Sequence, residues 1–187
     1  MRARLMTIHI REGLLYELLV VLFFLIVHIN YMIKSDIAIG LRYGISFLCF
    51  LLPLMMNKIS VSRTFMVLAI LTAATGIINV MYIGNATYFK VGYTIMSFFI
   101  AAFFLSDAVS ERPFLVSTYI SIAIIIFRYV SIGSMSSVYV ASENFVSVLL
   151  LISLTLYYVK CEVLNVSMKI LPSVLTFILC IAATGRG

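Results

Sequence analysis

The chain has 187 residues, of which 64% are hydrophobic and only 11% charged, and its mean hydropathy is +1.18. A water-soluble globule of this length cannot hide that much apolar surface, and so apolar a chain does not stay disordered in water. The net charge of +6 is spread along the sequence with no Lys/Arg run, so no nucleic-acid partner is expected and the lipid bilayer is the natural solvent.

Charges interrupt the apolar sequence at intervals suited to membrane crossings. In chain order the predicted crossings are Leu14–Ile33, Ile37–Met56, Thr64–Ile83, Tyr88–Leu105, Phe114–Val130, Asn144–Val159 and Lys169–Thr184. Each is near the ~20 residues a helix needs to cross the hydrocarbon core, and the shorter ones rely on flanking Lys and Arg to snorkel. The segments are continuously apolar rather than alternating, which excludes a barrel of strands. The fold class is therefore all-α: a polytopic integral membrane protein of about seven helices, read as a single transmembrane domain over residues 1–187.

Arg2, Arg4 and Arg11 precede the first crossing like the basic start of a signal peptide, but no A-x-A-like site follows, so an uncleaved first helix is expected. Gly40 and Gly44 form a small-xxx-small pair suited to close helix contact. Pro113 suits the start of a helix, whereas Pro53 and Pro172 fall inside crossings and are expected to kink them. The longest connection, Ser131–Glu143, is rich in Ser and small residues and reads as a loop near one membrane face. The last crossing ends at Ala183-Thr184-Gly185-Arg186-Gly187 with no anchoring tail, so the chain reads as the N-terminal part of a longer protein and an incomplete bundle.

Orientation follows from the basic residues. Arg2, Arg4, Arg11, Lys58, Arg63, Arg112, Lys160 and Lys169 share the side of the N-terminus, and Lys34, Arg42, Lys90, Arg128 and Arg186 fall on the other. The excess places the N-terminus in the cytoplasm. Among the outer residues, Arg42, Arg128 and Arg186 lie within or against hydrophobic helix ends. An ionisable group at membrane depth is costly and is a functional candidate, and the planar guanidinium fork suits phosphate. The competing explanation is that each snorkels to lipid phosphate and fixes helix depth, which is the preferred one for Lys34 and Lys90.

Tyrosines are skewed the same way: Tyr31, Tyr43, Tyr82, Tyr88, Tyr93, Tyr129 and Tyr139 fall toward outer ends, and Tyr16, Tyr157 and Tyr158 toward inner ones. They form an interfacial belt or line a sugar-binding mouth. Asp36 is expected to pair with Lys34 or Arg42, and Glu143 to complement the start of the sixth crossing. Glu17, within the first inner turns of its helix, is expected to face other helices. A Cys-dependent peptidase would need an imidazole within reach of its thiol, and His28 and Cys49 are on adjacent crossings, but nothing else in the sequence supports such a site. Lone membrane histidines more often hydrogen-bond between helices. Cys49, Cys161 and Cys180 have no paired spacing, so no metal site or disulfide is expected and each reads as a small hydrophobe.

Several of these features resemble the O-antigen polymerase and ligase superfamily of bacterial surface-polysaccharide synthesis. They are the short-looped crossings, Phe127-Arg128-Tyr129 before a Gly/Ser-rich loop with Asn144 opening the next helix, and the ending Ala183-Thr184-Gly185-Arg186-Gly187. The resemblance implies a glycosyltransferase of the bacterial inner membrane. Such an enzyme transfers a glycan from undecaprenyl diphosphate to a sugar acceptor on the outer leaflet, with no nucleotide sugar, cofactor or required metal. By that resemblance Arg128 and Arg186, and secondarily Arg42, engage the diphosphate, with other polysaccharide-assembly proteins as neighbours. The chain departs from the family in lacking its large outer loop with a functional histidine, so by itself it binds the lipid donor at most. A transporter or flippase subunit and a non-catalytic scaffold are the alternative functions.

Overall fold

The computed structural model describes residues 2–33, 35–56, 66–67, 70–71, 73–75, 77–78, 81, 88–133, 138–139 and 144–184, with side chains at all of these except 2–12, 88–95, 144–145 and 184. The long helices are α1 (Arg2–Ile33), α2 (Asp36–Met55), α3 (Tyr88–Leu105), α4 (Arg112–Ile132), α5 (Asn144–Val163) and α6 (Leu171–Thr184). Four segments are long and apolar enough to cross a membrane: Gly13–Ile33, Asp36–Met55, Arg112–Ile132 and Val146–Val163; Met96–Leu105 and Leu171–Ala183 are shorter apolar helices. The expected third crossing falls largely outside the described residues, and its described positions in 66–81 are helical. The protein is all-α and of membrane-spanning type.

Local chemistry explains where the helices begin and end. Ser35 is the N-cap of α2: its hydroxyl accepts the Ala38 N–H at 3.2 Å and its carbonyl the Ile39 N–H at 3.0 Å. Asp36, the acidic residue of that first turn, complements the helix dipole. α4 starts at Arg112 with Pro113 second, where a missing N–H costs nothing. It stops at Gly133, whose φ of 76° is left-handed and whose N–H reaches the Tyr129 carbonyl at 2.7 Å. α5 ends in a Schellman motif: Asn165 is left-handed (φ 51°), the Val166 N–H bonds the Cys161 carbonyl at 2.9 Å, and the Asn165 N–H bonds that of Glu162 at 3.2 Å.

Pro172 does not kink a helix, because α6 begins at Leu171 and puts Pro172 second, the position Pro113 holds in α4. Pro53 lies inside α2, as expected, within its last turns. Among the described residues the Gly40 and Gly44 pair makes no close helix contact, since a Cβ on either would meet nothing within 4 Å.

Residues 1–45 with 109–187 form one compact unit, and 46–108 a second. In the second unit Phe50 of α2 meets Phe99 of α3 edge-on, with centroids 5.4 Å apart. In the first unit α4 is central: it packs on α1, α5 and α6, while α5 also packs on α6. Contacts fix the directions. Glu17 and Phe24 of α1 meet Ser110 and Phe114 at the start of α4, so the two helices run parallel. Thr118 of α4 meets Ser153 of α5, and Tyr158 of α5 meets Ser173 of α6, so α5 is antiparallel to both neighbours. The four-helix bundle thus has a Glu17 end and an Arg128 end. At the Arg128 end a core of Val27, Met32, Ile122, Ile125, Leu150 and Leu179 closes around two loop residues, Val138 and Tyr139.

Candidate functional site

The Arg128 end carries the chemistry the sequence singled out. Ser117, Ser121 and Ile125 are buried on one face of α4, and Arg128 continues that face at helical spacing. Its side chain is half-buried, and its Nε is enclosed without a hydrogen-bond partner. Phe127, Tyr129 and Val130 beside it are exposed and apolar or aromatic, as a lipid-facing helix requires.

The loop after α4 does more than skirt the membrane face. Val138 and Tyr139 are 0% and 2% exposed and fill the mouth of the bundle. The Tyr139 hydroxyl and His28 Nδ1 hydrogen-bond to each other, joining residues 111 apart in sequence, and the Tyr31 ring lies 6.2 Å from that of Tyr139. Burial pushes the Tyr139 phenol above its ordinary range, so it stays neutral and keeps its proton. Tyr139 therefore belongs neither to an interfacial belt nor to an open sugar-binding mouth. The sequence signal for it is the apolar triplet Val138-Tyr139-Val140 inside a Ser-rich stretch.

His28 is 1% exposed, and its Nε2 has no hydrogen-bond partner. Asn30 Oδ1, two residues further along α1, and Ser147 Oγ, in the first turn of α5, are likewise enclosed and unpartnered. Buried polar atoms are almost always paired, so such a group of exceptions calls for a physical account. His28 bonds to a loop residue rather than to a neighbouring helix. Cys49 and Cys161 are buried and Cys180 is half-buried, and none of the three is in a disulfide.

The other predicted residues are placed as follows. Arg42 is half-buried on α2, its guanidinium carbon 4.8 Å from the Tyr43 ring centre, a cation–π distance. Arg186, Glu143, Lys34 and the side chain of Lys90 lie outside the described residues, as do Tyr82 and the side chains of Tyr88 and Tyr93. Glu17 faces a neighbour as expected, accepting the Ser110 hydroxyl at 2.6 Å. Lys160 is not a loop residue: α5 continues past it to Val163, and it is fully buried in the last turn.

The Glu17 end has a second tyrosine arrangement. Tyr157 accepts the Lys169 N–H at 2.9 Å, and Tyr158 donates to the Lys169 carbonyl at 2.8 Å. With its proton so used, Tyr158 accepts from the Ser173 hydroxyl. The pair holds the α5–α6 connection by its backbone.

Among the described residues no three of His, Cys, Asp and Glu converge as metal ligands. No family model, curated protein or solved structure matches the chain.

Proposed function

We propose that the protein is a membrane glycosyltransferase-like component of bacterial surface-polysaccharide polymerisation, and that Arg128 holds the diphosphate of an undecaprenyl-linked glycan. The observation that carries this reading is the Arg128 guanidinium, continuing the buried face of α4 with its Nε enclosed and unpartnered. Such a donor is already desolvated, so an anion reaching the rest of the fork gains a charge-assisted contact without stripping that side of water. The layout of the crossings and the Phe127-Arg128-Tyr129 sequence support the same family. Arg186, and secondarily Arg42, complete the diphosphate site, and the N-terminus faces the cytoplasm of an inner membrane.

The test is Arg128→Lys in the intact polymerase, scored by glycan ladder length at limiting donor, with insertion checked by membrane fractionation. Lysine keeps the charge and loses the bidentate fork. A lost contact of about 1.5–3 kcal/mol lowers transfer roughly 10- to 150-fold if it acts in the transition state. Unchanged ladders would make Arg128 a depth anchor and remove the residue-level case for a transferase. Thiol labelling from outside, with cysteine placed at exposed Ser131 or Ser167 in a cysteine-free background, tests orientation. Labelling of Ser167 alone would reverse the assigned sides.

A further inference from the structure

Val138 and Tyr139 sit in the bundle mouth in an apolar cluster with Val27, Met32, Ile125 and Leu150. The polar tie between this loop and the helices is the hydrogen bond of the Tyr139 hydroxyl with His28 Nδ1. Both partners are buried, and the second ring nitrogen of His28, Nε2, is enclosed and meets no donor or acceptor.

A neutral imidazole fits this site and an imidazolium does not. If Tyr139 donates to Nδ1, a second ring proton must take the lone pair that holds Tyr139. If Nδ1–H donates to Tyr139, the second proton goes to Nε2 and makes a charged donor with no acceptor. Either route ends in an enclosed cation, which is costly unless an anion meets it. Burial holds the Tyr139 phenol above its ordinary range, so Tyr139 supplies no negative charge. On α1 the neighbouring titratable group is Tyr31, whose ring lies 6.2 Å from that of Tyr139. On α4 it is Arg128, one turn beyond Ile125 and of the same sign as an imidazolium. α5 from Val146 to Ser153 has no titratable group, and α6 from Leu175 to Ala183 has Cys180 alone. The nearest described acid in sequence, Asp36, is exposed.

We infer that the contact between His28 and Tyr139 is an acid-sensitive latch: proton uptake by His28 releases Val138 and Tyr139 from the bundle mouth. The seated loop keeps the imidazole neutral. With the loop withdrawn, His28 meets water, which solvates the charged ring as well as the neutral one. The released state therefore binds one proton more, and acid favours it. A solvated imidazole titrates near ~6.5, so the release constant rises roughly 30-fold between about pH 7.5 and about pH 5.0. The latch does not rest on the function proposed for Arg128, although it opens the same end of the bundle.

Thiol labelling of the full chain in detergent micelles tests it. Cysteine is placed at buried Val138 in a background lacking Cys49, Cys161 and Cys180. Its labelling rate is divided by that of cysteine at exposed Ser131, which removes the pH dependence of the thiol reaction itself. The ratio rises roughly 30-fold from about pH 7.5 to about pH 5.0. His28→Gln keeps a neutral hydrogen-bonding group for Tyr139 and cannot titrate, so its ratio stays flat. Tyr139→Phe loses the bond, which raises the ratio at neutral pH and leaves its rise with acid in place. His9 is the only other histidine, so in His9→Gln the one isotope-labelled imidazole seen by NMR belongs to His28. That ring gains its second proton only in step with labelling at Val138. A flat ratio with His28 intact, an unchanged rise in His28→Gln, or a ring that takes its second proton while Val138 stays protected would each overturn the latch.

Discussion

The two ends of the helix bundle treat polar groups in opposite ways. At the Glu17 end, Ser110 donates to Glu17, two tyrosine hydroxyls bracket Lys169, and the end of α5 is closed by the Asn165 turn. At the Arg128 end, His28 Nε2, Asn30 Oδ1, Ser147 Oγ and Arg128 Nε are enclosed without hydrogen-bond partners. Each such atom costs about 1–3 kcal/mol while it stays unpaired. The Glu17 end is closed by the chain's own groups at its rim, with the hydroxyls of Ser117 and Thr176 enclosed and unpartnered further along α4 and α6. The other carries a cost that a bound group with matching donors and acceptors would relieve, and for that reason the functional proposal rests on it.

The comparison can be broken most forcefully at Tyr139. Tyr139→Ala opens a cavity among Val27, Ile125 and Leu150 and strips His28 of its one partner, and should cost about 3–5 kcal/mol in unfolding from detergent micelles. A loss below about 1 kcal/mol would mean that the loop does not plug the bundle. At the opposite end Tyr158→Phe leaves the Lys169 carbonyl and the Ser173 hydroxyl unmet, for about 1–2 kcal/mol in the same assay. Between the ends, Thr118→Val removes the 3.1 Å bond to Ser153 and should cost about 0.6 kcal/mol, the average for a hydrogen bond between membrane helices. Ser117→Ala, one residue away, removes a buried hydroxyl that has no partner and should be neutral or slightly stabilising. Equal losses for Thr118→Val and Ser117→Ala would show that pairing does not distinguish these hydroxyls.

The helices were readable because hydrocarbon imposes one rule on every crossing, and a run of apolar residues satisfies it wherever it occurs. The ends of α2 and α3 fall within one residue of the expected crossings, and α1 ends where its crossing is expected to end, after a helical start before Leu14. α5 runs four residues further than the expected crossing, past Lys160 and Glu162 to Val163. A lysine can continue a helix in its last turn, where the dipole favours it. Ser35-Asp36 was a legible cap, and Asp36 was assigned to an ion pair instead. The bond between His28 and Tyr139 had no local signature, since its partners meet only once the loop folds back. The unpartnered atoms at the Arg128 end are invisible in sequence for a related reason: Arg128 was recognisable as a candidate by residue type, but its enclosed Nε depends on packing.

Pro113 and Pro172 occupy the same second position in α4 and α6, and both are buried. A helix start presents amide hydrogens that nothing within the helix can accept, and in hydrocarbon each stranded one costs several kcal/mol. A ring nitrogen has no hydrogen to strand. Each of these two helices therefore enters the bilayer with one amide fewer to shed its water, which eases the passage of a short apolar segment such as α6 out of the aqueous phase during membrane insertion.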